Sequence, residues 1–453
     1  MPKDIQLLLP EFLDLLLDAV CMVDSQGHFV FVSAASERIF GYTAKELLGT
    51  PMLDLVYPED RDRTLSTAQK VMNGEPVPHF ENRYVHKEGH IVDIMWSASW
   101  SATEGLRLAV ARDISPLKRA ERLQKALYAI SEAAHTAANL AALYEHIHQI
   151  ITTLVPAESF CVVLYQKTSN QLTFPYYVDP LKRTYNSRKL VADEPLAKVI
   201  LAGHPLLIPG TQSGSPDSQL LPNKLPEMDW LGVPLISVDK VIGALVLQQP
   251  SDRVNYTAQS EQLLHYVSVQ IANAITRKQA ETRLLHLANH DALTNLANRS
   301  LFNVRLEFAL KQALREHQQL ALLYIDLDKF KKINDTLGHE VGDGVLIEFS
   351  QRLRACARDS DTAGRMGGDE FTLLLINIHG HSDVELVIAK LKSLLEMPMK
   401  IGDHTVNVTA SIGFAIYPQD GAKRGELSIA ADASMYRHKK SRYTPADSEA
   451  KTG

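Results

Sequence analysis

The sequence is poor in cysteine, in aromatic residues, in long apolar runs and in charge of one sign. Three cysteines, Cys21, Cys161 and Cys356, lie scattered through 453 residues without pairing or metal-ligand spacing. That excludes a disulfide framework and a cysteine-based zinc site, and predicts a reducing, cytoplasmic setting. No apolar run approaches the ~18 residues of a membrane span, and the leucine-rich start is interrupted by Pro10, Glu11, Asp14 and Asp18. Lys and Arg total 47 against 53 Asp and Glu, a net charge of −6. No general field therefore attracts a nucleic acid polymer or an anionic membrane, and any polyanionic ligand must be gripped locally. What remains is ordinary globular composition, 45% apolar, in a chain too long for one core, which predicts roughly two to four domains.

From Asp18 to about Ile114, short alternating segments (Phe29–Val32, Ile91–Trp96, Leu106–Ala111) are separated by the turns Asp24-Ser25-Gln26-Gly27 and Lys87-Glu88-Gly89-His90. This predicts a small α+β unit. After Ser115-Pro116 a charged helix carries Ala120, Leu123, Leu127, Ile130 and Ala134 at heptad intervals. Residues from about 136 open on a helix (Leu140–Leu154) and continue in strands at Ser159–Tyr165, Leu206–Ile208, Leu231–Ile236 and Val241–Leu247, with a long polar loop over 209–229. A second heptad seam runs Leu264, Val267, Ile271 and Ala274, weakens at Lys278 and Glu281, and resumes at Leu285 and Ala288. The last block, 291 to about 443, alternates helical patterns with strands at Leu320–Leu327, Phe371–Ile376 and Ser411–Ile416, ahead of a polar tail expected to be disordered.

The strand Leu320–Leu327 is almost continuously apolar and leads to Asp326 and Asp328, two positions apart and therefore on one side. Further on, Arg365-Met366-Gly367-Gly368-Asp369-Glu370-Phe371 sets a Gly-Gly hairpin turn before an apolar strand and offers two more carboxylates. If the two strands are neighbours, Asp326 with Asp369 and Glu370 forms a hard oxygen cluster suited to Mg²⁺ or Mn²⁺ and to phosphoryl or nucleotidyl chemistry. Taken singly, the blander readings, a plain turn and a capped strand end, would win.

Between these strands lies Phe330-Lys331-Lys332-Ile333-Asn334-Asp335-Thr336-Leu337-Gly338-His339-Glu340-Val341-Gly342-Asp343. Joined to it, the blocks resemble the GGDEF family of diguanylate cyclases. The resemblance covers residues 291–443 and includes Asp291-Ala292-Leu293-Thr294-Asn295-Leu296, Ser411-Ile412-Gly413, Ala431-Asp432 and Met435-Tyr436. It implies an α/β palm-like domain, a cytoplasmic transferase that condenses two GTP into cyclic di-GMP plus two pyrophosphates, and two divalent ions per active site. It assigns metal binding to Asp326, the Leu327 carbonyl, Asp369 and Glu370, and catalysis to Asp369, Glu370 and Lys331. Phe330, Asn334, His339 and Asp343 fall at substrate-binding positions, with Lys439 and Arg442 toward the phosphates. Arg358 and Asp361 fit the family's Arg-x-x-Asp product-inhibition site. Two departures stand out: Asn295 replaces a usual glycine, and the Lys439 to Arg442 spacing is one residue short. The alternative reading is a catalytically silent protein that binds GTP or cyclic di-GMP and signals to a partner.

Residues 12–118 resemble a PAS domain, on Phe40-Gly41-Tyr42, Glu46-Leu47-Leu48-Gly49, Pro58-Glu59-Asp60 and Asp113-Ile114-Ser115. Neither haem nor flavin is indicated, because Pro58 to Asn73 holds no histidine and Cys21 reads as core; His79, His86 and His90 read as surface residues. The segment after a linker helix (119–135) resembles a GAF domain over 136–262, on Trp230-Leu231-Gly232-Val233-Pro234-Leu235 and Val241-Ile242-Gly243-Ala244-Leu245. The predicted architecture is therefore an α+β multidomain chain: two sensory domains of unknown ligand, coiled-coil-type helices, a stalk (263–290) and a catalytic domain (291–443). Because product needs two antiparallel GTP, the resemblance implies a homodimer aligned by its stalks, with Lys278 and Glu281 as the yielding point.

Overall fold

The computed structural model describes residues 13–75, 77–180, 184–210, 228–250 and 256–443, without the side chains of 441–443. Arg442's side chain and the tail expected over 444–453 lie outside the described residues, as does most of the loop expected over 209–229. The chain divides into two units, Met1–Lys278 and Gln279–Gly453. Among the described residues no helix is long and apolar enough to cross a membrane.

The first unit holds two antiparallel sheets. One is built from β1 (Ala19–Asp24), β2 (Phe29–Val32), β3 (Val77–Val85), β4 (Ile91–Ser101) and β5 (Leu106–Asp113), in the order β2-β1-β5-β4-β3. Between β2 and β3 run α1 (Ala35–Phe40), α2 (Ala44–Leu47), α3 (Met52–Leu55) and α4 (Arg61–Met72). Alternation along the strands sends one face inward, where Phe40 and Trp96 each lie against Tyr84, ring centroids 5.3 and 5.5 Å away.

Helix α5 (Ser115–Thr136) leads to α6 (Leu140–Leu154), capped by the Asn139 carboxamide, which accepts the Ala142 N–H at 2.9 Å. The second sheet comprises β6 (Ser159–Gln166), β7 (Gln171–Val178), β8 (Arg188–Lys189), β9 (Leu206–Ile208), β10 (Met228–Ser237) and β11 (Lys240–Pro250), ordered β8-β7-β6-β11-β10-β9. Helix α7 (Pro195–Ala202) precedes β9, and α8 (Ala258–Asn289) follows β11. Here the heptad expectation is corrected. Ile130 and Ala134 of α5 and Leu264, Val267, Ile271 and Ala274 of α8 are buried in one core with Leu143, Ile147 and Leu245. The 3–4 spacing is satisfied within the chain, by α6 and the sheet. Lys278, read as a polar break in a stalk, is also buried, at 6% exposure. Only beyond it does the seam open outward, Leu284, Leu285 and Leu287 being exposed.

The second unit contains α9 (Arg299–Glu316), β12 (Gln319–Leu327), α10 (Phe330–Leu337), α11 (His339–Cys356), β13 (Thr362–Gly367), β14 (Glu370–Ile378), α12 (His381–Glu396), the small pair β15 (Met399–Ile401) and β16 (His404–Val406), β17 (Ala410–Tyr417) and α13 (Arg424–Tyr443). The main sheet is ordered β13-β14-β12-β17, each pair antiparallel. Strand β12 is apolar throughout because both faces are covered. Leu320 and Leu322 pack with α9 and α13 through Phe302, Leu306, Leu427 and Ala431. Ala321, Leu323 and Ile325 pack with α11 and α12 through Val345, Phe349 and Leu391. That double burial delivers the polar end of β12 to one fixed place.

Candidate active site

Strand β12 is central, so its end is fixed from both sides. Asp326 stands opposite Glu370 of β14 and Ser411 of β17, and the Leu327 N–H donates to the Asp369 carbonyl at 3.2 Å. The hairpin therefore carries Asp369 and Glu370 to Asp326, as the Gly-Gly turn predicted; Gly367 and Gly368 both take positive φ, 142° and 53°. Asp326 is buried at 8% exposure, Asp369 is half-buried and Glu370 exposed.

Asp326 accepts a hydrogen bond from Lys439 Nζ of α13 at 2.6 Å. Burial pushes its carboxyl above the usual range, and the Asp369 and Asp328 charges add to that while Lys439 opposes it. Burial alone would lower the Lys439 pKa, but the same ion pair raises it above the ordinary lysine value. Asp328 does different work: its carboxylate accepts the Thr409 and Ser411 hydroxyls, each at 2.7 Å, and its N–H donates to the Thr409 carbonyl. It braces the loop to β17, a role visible in the sequence only as an unassigned second acid.

The donor set, all oxygen and already holding an ammonium, fits a hard divalent ion. Among the described residues the one His, Cys, Asp or Glu trio with ligand atoms within 4.8 Å of one another is His86, Glu88 and His90, between β3 and β4. The carboxylates of Asp326, Asp369 and Glu370 do not form such a trio, and Asp326 is turned to Lys439. His90 is exposed and His86 half-buried, and their rings stack at 4.1 Å.

Helices α10 and α11 meet at Gly338 (φ 88°) and form the second wall. Phe330 is buried, Asn334 half-buried, and Lys331, His339 and Asp343 exposed. The Asn334 Oδ1 is buried without a hydrogen-bond partner, a standing acceptor that a ligand donor would satisfy. A Cβ on Gly342 would lie 1.8 Å from it, so this glycine, to which sequence reading gave no role, leaves the room that the Asn334 side chain occupies.

Two more contacts fix the turn. Arg365 donates through Nε and Nη2 to the Gly368 carbonyl at 3.0 and 2.7 Å, and through Nη1 to Asp291 at 2.9 Å. Asp291 also accepts the Thr294 N–H and hydroxyl, at 2.9 and 2.7 Å. Asn295 takes the left-handed conformation expected for it, φ 58°. Arg358 and Asp361 lie in the turn before β13, where both Asp361 oxygens accept backbone N–H groups, of Arg358 at 2.9 Å and Ile376 at 3.2 Å.

Residues 288–444 match the family model described as diguanylate cyclase, GGDEF domain. The last third of the chain is a GGDEF domain. Ahead of it, residues 29–105 match the PAS fold and 137–276 the GAF domain, in the predicted order. The GGDEF region is 46% identical over 166 residues to the bifunctional diguanylate cyclase/cyclic di-GMP phosphodiesterase MucR of Pseudomonas aeruginosa, spanning 37% of this chain and 24% of that protein. It is 41% identical over 154 residues to diguanylate cyclase TpbB of Pseudomonas aeruginosa, 34% of this chain and 35% of that one. This chain thus spans about a quarter to a third of the length of these relatives. The crystal structure of the TpbB GGDEF domain aligns at 39% identity, covering 33% of this chain and 92% of that one, with a TM-score of 0.32.

Proposed function

We propose that the chain is a diguanylate cyclase, condensing two GTP into cyclic di-GMP and two pyrophosphates under the control of its PAS and GAF domains. The observation that carries this reading is the buried Asp326 carboxylate at the end of β12, beside the Gly-Gly turn and already paired with a cation. Mg²⁺ or Mn²⁺ held by Asp326, the Leu327 carbonyl and Asp369, with Glu370 beside them, would neutralise the triphosphate. Asp369 or Glu370 takes the proton from the attacking ribose 3′-hydroxyl. Lys331, exposed in the first turn of α10, and Lys439 set positive charge against the phosphates. The Asn334 amide addresses the guanine O6 edge and the Asp343 carboxylate accepts from the N1 and N2 hydrogens; adenine, with no O6, N1–H or N2 amino group, would leave these groups unpaired. Phe330 walls the corner, and His339 opens α11 next to the nucleotide.

Each GGDEF domain holds one GTP, so turnover needs two domains face to face, in a homodimer. Arg358 and Asp361 form the inhibitory product site; with both Asp361 oxygens turned to backbone, Arg358 carries most of its grip on cyclic di-GMP. The shortened Lys439 to Arg442 spacing is what favours a second reading, a domain that binds GTP or cyclic di-GMP without turnover.

The test is incubation with GTP and Mg²⁺, with nucleotides resolved by chromatography, beside Asp369→Ala. Cyclic di-GMP from the wild type and none from the variant is expected. No product from the wild type, even when held dimeric by a fused zipper, would overturn the enzyme reading.

A further inference from the structure

Between the first sheet and α4 lies a cavity of about 50 Å³. With a water needing roughly 10–15 Å³, it admits a body of only a few heavy atoms. Its walls are apolar, with Phe29, Val71, Phe80 and Trp96 prominent. Among the polar groups facing it, Asn82 is committed: its Oδ1 accepts the Trp96 indole N–H and its amide donates to Thr64 Oγ1, both at 2.9 Å.

Arg107 is not so engaged. It lines the same cavity at 6% exposure. Its hydrogen-bonding neighbour is the Met52 thioether sulfur, 2.6 Å from Nη2, a weak acceptor for one of five guanidinium donors. Among the described residues no carboxylate lies within ion-pair distance of it. Burial accordingly depresses its pKa, with the Tyr84 phenol opposing. The position is built into the strand: Arg107, Ala109 and Ala111 occupy successive inward registers of β5, opposite Val23, Cys21 and Ala19 of β1. A guanidinium stands where a core side chain belongs, and the two alanines beyond it leave room.

A buried charge with no counter-charge is costly to keep, so an anion would complete the fold here. We propose that the PAS cavity is a binding site for a small carboxylate with a short apolar body, its two oxygens taken by the Arg107 fork and its body lying against Phe29, Phe80 and Trp96. A single fork suits one planar monoanion.

The test is calorimetric titration of the full chain with acetate, butyrate, hexanoate and benzoate, each against its amide. Butyrate should bind best of the straight-chain acids, at least tenfold tighter than butyramide. Arg107→Met should erase that ratio, and Ala109→Leu should abolish binding of acid and amide alike. Equal affinity for acid and amide in the wild type, or no binding of any of the four acids, would overturn the proposal. The acid-to-amide ratio is read on the wild type and so does not depend on either variant folding.

Discussion

Asp326 and Arg107 are buried to nearly the same degree, at 8% and 6% exposure, yet the chain supplies a counter-charge only to the acid. Lys439 reaches Asp326 from 113 positions away and holds it at 2.6 Å. Arg107 has a sulfur and an aromatic wall. A self-supplied counter-ion lets a site stand between visits of its ligand, at the cost of a partner that must be displaced. A charge without one leaves the domain less stable when empty, and ligand binding then feeds directly into folding free energy. On this reading the GGDEF site is built to turn over and the PAS cavity to be filled.

Four substitutions break or sharpen that contrast. The largest effect belongs to Asp326→Asn, which removes a metal-binding charge and leaves Lys439 unpaired; steady-state cyclic di-GMP synthesis should fall on the order of 10³-fold. Gly342→Ala comes next, because its methyl group would drive Asn334 out of the corner. There KM for GTP should rise about tenfold or more while discrimination against ATP weakens, and an unchanged ratio would remove Asn334 as the base reader. Lys439→Met should move a pH profile. The Asp326 carboxyl already lies above its ordinary range through burial, and losing the lysine lifts it further. Since the ionised form is the one required, the acid limb of kcat/KM should shift upward by about one pH unit. Smallest is Arg107→Met, expected to raise the melting temperature of the PAS transition by a few degrees, about 2–4 °C, in ligand-free protein. A lowered value would mean that the guanidinium has a partner in solution.

Much of this was legible in the sequence because it depends on local pattern. The apolar run of β12, the Gly-Gly hairpin and the Asn334 helix all fold as their residues dictate, and the domain order follows. The heptads misled for a definable reason. Spacing of three and four tells which face of a helix is apolar but not what covers it, and Ile130 and Ile271 found cover in their own domain. Long-range polar pairing was equally hidden, since nothing near Asp326 points to Lys439 and nothing near Asp328 points to Thr409 and Ser411. Arg107 reads as an ordinary polar residue until the register of β5 shows it facing inward.

The antiparallel pairing of β12 on both edges carries one more consequence. Side chains along a strand alternate between its two faces, so a slip of one residue would turn Asp326 from the α13 side to the side of α11 and α12 and put Leu327 where Asp326 meets Lys439. An insertion or deletion anywhere from Leu320 to Ile325 would thus be a lesion at the candidate active site, however distant it looks along the chain. For this domain, keeping strand alignment and keeping chemistry are a single requirement.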